Sequence, residues 1–238
     1  LKAPTVLEGR EFEIRERPPP PIDRIAPHRW MTDEGQGRYQ KALQVGFELY
    51  LSKHAEEKIR NHSLTSVNDN REVMGMLLGW VYRHDGREYV MVRDVVTTDL
   101  EASAVRVRFD PTSFEKLFDY LDESGFQYII VGWYHTHPGH GCFLSSTDID
   151  TQKALFSMGY HTALVIDPIN RMIEAFAVEG DEVRTRSFAV YWEEYQSPYL
   201  GRGKKIRRIR SDPDCMAPPE GGLVESEPVH EDGDEGVE

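Results

Sequence analysis

QYIIVGWYHTHPGHGCFLSSTD, residues 127–148, is the stretch on which both the fold and the chemistry turn. Gln127 to Tyr134 is a nearly continuous apolar run, which reads as a strand buried on both faces. A Gly/Pro loop follows, and a helix is predicted from about Ser146 to Met158, ended by Gly159. Working outward, Glu72 to Tyr82 and Tyr89 to Thr97 are strand-like, joined by a turn at His84-Asp85-Gly86. Val45, Phe47, Leu49 and Leu51 alternate as a strand would, and Ser52 then offers a cap for a helix to about His62. Asp110-Pro111 starts another helix, with Phe114, Leu117, Phe118 and Leu121 on one face and Gly125 at its end. Strands near 162–167, 172–178 and 183–190 complete the set. Strands interleaved with helices predict an α/β (α+β) sandwich, a mixed sheet covered by helices.

Composition sets the limits of this reading. The 238 residues carry a formal charge of −13, but ten acidic and no basic side chains fall in residues 211–238, which leaves −3 for residues 1–210. A basic cluster (Arg202, Lys204, Lys205, Arg207, Arg208, Arg210) precedes that acidic tail. An acidic overall field argues against nucleic acid as a partner. The longest apolar run is far short of the roughly 20 residues of a membrane span, so no membrane association is expected. Two cysteines make no disulfide scaffold, and a cytoplasmic setting is expected. Ten of the 14 prolines lie in residues 1–27 or 211–238, including the run Pro18 to Pro21. The expected organisation is therefore an extended Pro-rich segment over 1–44, a catalytic domain over 45–195, and a basic cluster with a flexible acidic tail over 196–238.

His135 and His137 stand two apart at the end of the buried strand. Period-two geometry puts both imidazoles on one face, with backbones about 7 Å apart, so they can converge on one ion. Asp148 follows past the loop and can complete a His₂Asp set, whose fourth position stays open as a catalytic zinc requires. Two ordinary side chains are the competing reading of His-x-His. Ser145-x-x-Asp148 is equally the pattern of a helix capping box. Zinc chemistry also needs a base, and Glu72, at the mouth of the first core strand, is one candidate among many glutamates. The Ser145 hydroxyl could bond an oxygen that gains charge in an acyl transfer. Cys142 reads as an apolar filler and His140, between two glycines, as a loop residue.

The spacing H-x-H-P-x6-S-x-x-D, with E-V-M-G-x-L-L-G about sixty residues upstream, resembles the JAMM (MPN+) zinc metalloproteases. The longer stretch V-G-W-Y-H-T-H-P-G-x-G-C-x-L-S is most similar to the family's deubiquitinating branch that serves the proteasome lid. The resemblance covers roughly residues 45–192. It implies a curved mixed sheet flanked by helices, with one zinc ion held by His135, His137 and Asp148. It implies Glu72 as general acid/base and Ser145 as oxyanion stabiliser.

It further implies hydrolysis of the isopeptide or peptide bond after the terminal Gly-Gly of ubiquitin or a ubiquitin-like modifier. Residues 97–109 stand where the family's first insertion clamps the substrate tail by strand addition. Ala102, Ser103, Ala104 and Val105 there, together with Phe143, are the expected substrate-binding residues. The family's second insertion would fall near Pro168 to Met172 and is very short. The C-terminal region departs from that of the lid subunits, so a free-standing or prokaryotic relative is expected rather than a built-in subunit of a eukaryotic-type lid. Expected partners are the modifier and its conjugates, with the proteasome or an unfoldase as the larger machine. Two alternatives remain: a JAMM protease trimming sulfur-carrier proteins of the ubiquitin fold, and a non-enzymatic MPN scaffold.

Overall fold

In the computed structural model, which describes residues 14–65, 67–68, 71–97 and 128–193, the elements follow one another mostly as short strands with three helices between them. The strands are β1 (Arg15–Glu16), β2 (Ile25–Ala26), β3 (Leu49–Ser52), β4 (Met74–His84), β5 (Arg87–Thr97) and β6 (Ile129–Thr136). They continue with β7 (Thr162–Asp167), β8 (Met172–Glu179), β9 (Glu182–Thr185) and β10 (Phe188–Tyr191). The helices are α1 (Asp33–Val45), α2 (Lys53–Thr65) and α3 (Ser146–Leu155). The chain divides into two units, Leu1–Glu193 and Glu194–Glu238, and every described residue lies in the first.

Among the described residues the strands form one mixed sheet in the order β2-β10-β3-β5-β4-β6-β7-β8-β9, with β1 beside β4. Its centre is the β4–β5 hairpin, turned at Asp85 and Gly86 with φ of 50° and 73°. Positive φ at both corner residues matches the right-handed twist of the strands it joins. β6 runs antiparallel to β4 and parallel to β7. Its residues alternate faces as expected of a strand. Tyr134 turns to the side of α2, where its hydroxyl meets His62 Nδ1 at 2.7 Å. Trp133 and His135 turn to the other side, with Met76, Leu78, Val165 and Phe156.

The register of β6 on β4 shifts between Leu77 and Leu78, where Ile130 rather than Val131 faces Leu78. Gly132, next to this bulge, has φ of 152°, and a Cβ placed there would lie 2.0 Å from the carbonyl oxygen of Thr162. No side chain fits, because the obstacle is the backbone of β7. Gly132→Ala should therefore cost on the order of 3 kcal/mol, read as a lowered urea midpoint with unchanged slope. A midpoint equal to the wild type would mean that β6 and β7 do not approach so closely.

The N-terminal region departs from the extended segment expected over 1–44. Residues 14–44 contribute β1, β2 and α1, and Ile25, Trp30, Met31, Tyr39 and Ala42 are buried in the main core. Met31 bridges Ile173 on β8, and Ile173 N–H donates to Trp30 O at 3.0 Å. Ala26, five residues earlier, is paired with Val190 on β10. β10 and β8 stand six strand spacings apart, about 29 Å in a flat sheet. Five residues that include a turn reach at most about 17 Å, even before one strand spacing at each end is added. The sheet must curve to let this segment close it.

A buried polar contact fixes the same segment. Trp30 N–H donates to His28 Nδ1 at 3.0 Å, so the ring proton sits on Nε2 and faces Glu56 Oε1 at 3.1 Å. Burial pushes the Glu56 carboxyl up, but His28 and Arg60 outweigh it and hold the acid below its ordinary range. β1 pairs with Tyr82 and Arg83, eight residues along β4 from Met74, or about 27 Å. The proline run that follows β1 thus starts from the end of the hairpin far from His135.

Two other expectations change. Val45 ends α1, with Gly46 at φ of 95° as its cap, so the strand expected from Val45 begins at Leu49. The strand expected over 183–190 is two, β9 and β10, because Arg186 turns inward to Gly159 O, Tyr160 O and Thr162 Oγ1. The helix expected from Asp110 lies outside the described residues. No helix among the described residues is long and apolar enough to cross a membrane.

Candidate metal centre

The end of β6 and the first turn of α3 bring three side chains together. His135 Nε2 and His137 Nε2 are 3.1 Å apart, and Asp148 Oδ2 is 3.5 Å from each. All three residues are buried. Two ring nitrogens and a carboxylate oxygen so close are held together only by a proton or a cation among them. A tetrahedral zinc ion with ligands at about 2.0–2.1 Å holds its ligand atoms about 3.3 Å apart, and the observed triangle has those dimensions. The donor set, two imidazoles and a carboxylate without thiolate, suits a catalytic rather than a structural zinc.

Asp148 is fixed by the capping box of α3. Ser145 N–H donates to Asp148 Oδ2 at 2.7 Å, and Asp148 N–H donates to Ser145 Oγ at 3.2 Å. The capping reading of Ser-x-x-Asp is realised, and the same carboxylate stands beside both imidazoles. Burial pushes the Asp148 acid up, but hydrogen bonds with His135, His137 and Ser145 prevail and hold it far below the ordinary carboxylate range. Ser145 Oγ spends one lone pair on the Asp148 amide and keeps its own proton for another acceptor.

The imidazoles are oriented by packing. Nδ1 of His135 and of His137 is buried without a hydrogen-bond partner, whereas metal-binding histidines usually donate that proton. In its place Trp133 stacks flat on His135, with centroids 4.4 Å apart at 14°. Phe156 stacks parallel to Trp133 with centroids 5.8 Å apart, and Phe143 lies tilted on His137 at 4.6 Å. Trp133 Nε1–H donates to Gln152 Oε1 at 2.6 Å, and Gln152 sits one turn beyond Asp148 on α3. One helix thereby supplies a candidate ligand and braces the ring behind another.

Glu72 Oε1 is 3.9 Å from His137 Nε2, and its side chain is 39% exposed, so it touches both the centre and solvent. Phe143 is 46% exposed at the rim. Ala102, Ser103, Ala104 and Val105 lie outside the described residues. Cys142, partly buried, packs against the core beside the site, its Sγ–H donating to Val165 O at 3.3 Å, and burial pushes its thiol up to about 12. A thiol so hard to ionise is no nucleophile.

Asp167, Trp133 and Gln152 escaped the sequence reading. Asp167 is fully buried and accepts from Gly139 N–H at 2.8 Å, Gly141 N–H at 2.7 Å, and the backbone N–H of Ile169 and Asn170. It ties the loop after His137 to the turn between β7 and β8. The signals were present: Trp133 is two residues before His135, and Gln152 four after Asp148.

The family model described as "JAB1/Mov34/MPN/PAD-1 ubiquitin protease" matches residues 46–160. Over 124 residues the chain is 39% identical to the 26S proteasome regulatory subunit RPN11 of Eremothecium gossypii, a match covering 51% of this chain and 38% of that protein. It is 37% identical over 124 residues to the ubiquitin carboxyl-terminal hydrolase RPN11 of Saccharomyces cerevisiae, covering 51% and 39%. It is 33% identical over 131 residues to COP9 signalosome complex subunit 5 of Debaryomyces hansenii, covering 53% and 26%. The chain thus spans well under half the length of these relatives. A solved structure, protein DSY2949 of Desulfitobacterium hafniense, is 21% identical with a TM-score of 0.48, covering 61% of this chain and 94% of that one.

Proposed function

We propose that this chain, whose residues 46–160 match the JAB1/Mov34/MPN/PAD-1 family model, is a JAMM (MPN+) zinc-dependent peptidase that cuts after the terminal Gly-Gly of ubiquitin or a ubiquitin-like modifier. The observation that carries this reading is the triangle of His135, His137 and Asp148 with Glu72 beside it. His135 Nε2, His137 Nε2 and Asp148 Oδ2 would hold the ion. Zinc bound there supplies an acidified water and polarises the scissile carbonyl.

The remaining work belongs to the protein. Glu72, half in solvent, accepts a proton from the attacking water and passes it to the departing amine. The free Ser145 O–H donates to the scissile oxygen as negative charge grows on it. Trp133 and the α3 cap hold the ligand rings and carboxylate still, so that little reorganisation accompanies the reaction. Phe143 gives the substrate an apolar edge at the mouth. The names of the relatives, a ubiquitin carboxyl-terminal hydrolase and two subunits of proteasome and signalosome, support a substrate carrying a ubiquitin fold.

The test is to incubate zinc-loaded protein with a linear ubiquitin-like fusion, and separately with a sulfur-carrier conjugate, and to read products by intact mass. A cut immediately after Gly-Gly in the fusion is expected. Cleavage of the sulfur-carrier conjugate alone would change the substrate class. No hydrolysis of either at one zinc per chain would overturn the reading and leave a scaffold.

A further inference from the structure

Glu72 lies outside regular structure, two residues before β4 begins, yet proton transfer needs it within reach of the centre. The regular pairing of β4 with β6 stops at Met74 opposite His135. Beyond that point two hydrogen bonds carry the alignment on, and both end on Thr136. Thr136 N–H donates to Val73 O at 2.9 Å, and Val73 N–H donates to Thr136 Oγ1 at 2.9 Å. A side-chain hydroxyl stands where a sheet would ordinarily offer a carbonyl. The next residue's amide, His137 N–H, points the other way and donates to Ile166 O on β7 at 2.8 Å, as alternation along a strand flanked on both sides requires.

We propose that Thr136 is a positioning residue for Glu72: its hydroxyl extends the β4–β6 ladder by one residue and so sets the distance from the carboxylate to the metal centre. This rests on the functional reading above for its kinetic consequence only. Thr136 is fully buried and lies between the two histidines on the opposite face of the strand, so it touches neither substrate nor ion. Without the hydroxyl, the Val73 amide keeps no acceptor on β6, and an unmatched amide at a strand end frays. A carboxylate displaced by about 1 Å loses much of its catalytic effect.

The test compares Thr136→Val, which keeps shape and removes the acceptor, with Thr136→Ser, which keeps the acceptor. In the zinc-loaded 238-residue chain the valine variant should keep one zinc per chain and its KM. Its kcat on the linear fusion should fall about tenfold or more, and serine should recover most of it. Equal kcat in all three proteins, or equal loss in valine and serine, overturns the proposal. A second readout needs no activity: hydrogen exchange at the Val73 amide should quicken about tenfold in the valine variant and return to protection in the serine variant. Unchanged exchange overturns the proposed contact even if the protein cleaves nothing, whereas inactivity with the expected exchange pattern overturns only the functional reading. Should valine not fold, Thr136→Ala removes the same acceptor and is read the same way.

Discussion

Glu72→Gln is expected to retain one zinc per chain while turnover on a linear ubiquitin-like fusion falls about 10²-fold or more, the scale of general acid–base contributions. Glutamine keeps the size of glutamate and can still hydrogen-bond, but it cannot take a proton from water. The expectation follows from geometry. Glu72 Oε1 is 3.9 Å from His137 Nε2, outside the triangle of the three candidate ligands yet against it. A residue so placed could shuttle protons without binding an ion, so metal content should be indifferent to it. The measurement is kcat beside elemental analysis of the same preparation. Full turnover in the variant would remove Glu72 from the chemistry, and loss of metal would make it a ligand.

His135→Ala has the opposite signature: zinc should be lost at stoichiometric levels and activity should fall to background. Three protein ligands are the least with which a catalytic zinc is ordinarily held, and removing one leaves a two-point site. The substitution also takes away the ring on which Trp133 stacks. The fold should nonetheless persist, because the large core on the α1 and α2 side contains none of the site residues. Elemental analysis after gel filtration, with circular dichroism as a check on folding, reads the outcome. Stoichiometric zinc retained by a folded variant would exclude His135 as a ligand.

The parts of the site legible in the sequence were those set by local spacing. His135 and His137 share a face because a strand repeats every two residues, and Asp148 is near because the intervening loop returns the chain to the same strand end. Glu72 was legible only through family resemblance, since nothing local distinguishes it from other glutamates. Its proximity is a matter of β4–β6 register, a long-range property. Thr136 was invisible for a related reason: a threonine in a strand reads as β-propensity, and its hydroxyl bond to Val73 crosses between strands. The N-terminal segment misled because proline runs suggest solvent, while β1 and β2 are each two residues long and carry no readable period. The strand expected at Val45 shows a competing effect. Valine and phenylalanine suit a strand, but Gly46 at positive φ closes α1 first.

Asp148 is held by Ser145 through two reciprocal bonds that involve no ion. The carboxylate would therefore already be fixed for an incoming cation, and the rings packed by Trp133 and Phe143 are oriented by the same protein contacts. Loading such a site would demand little rearrangement and forfeit little entropy, unlike a finger that folds around its metal. Stripping with a chelator and refilling should thus be a reversible exchange at a rigid socket.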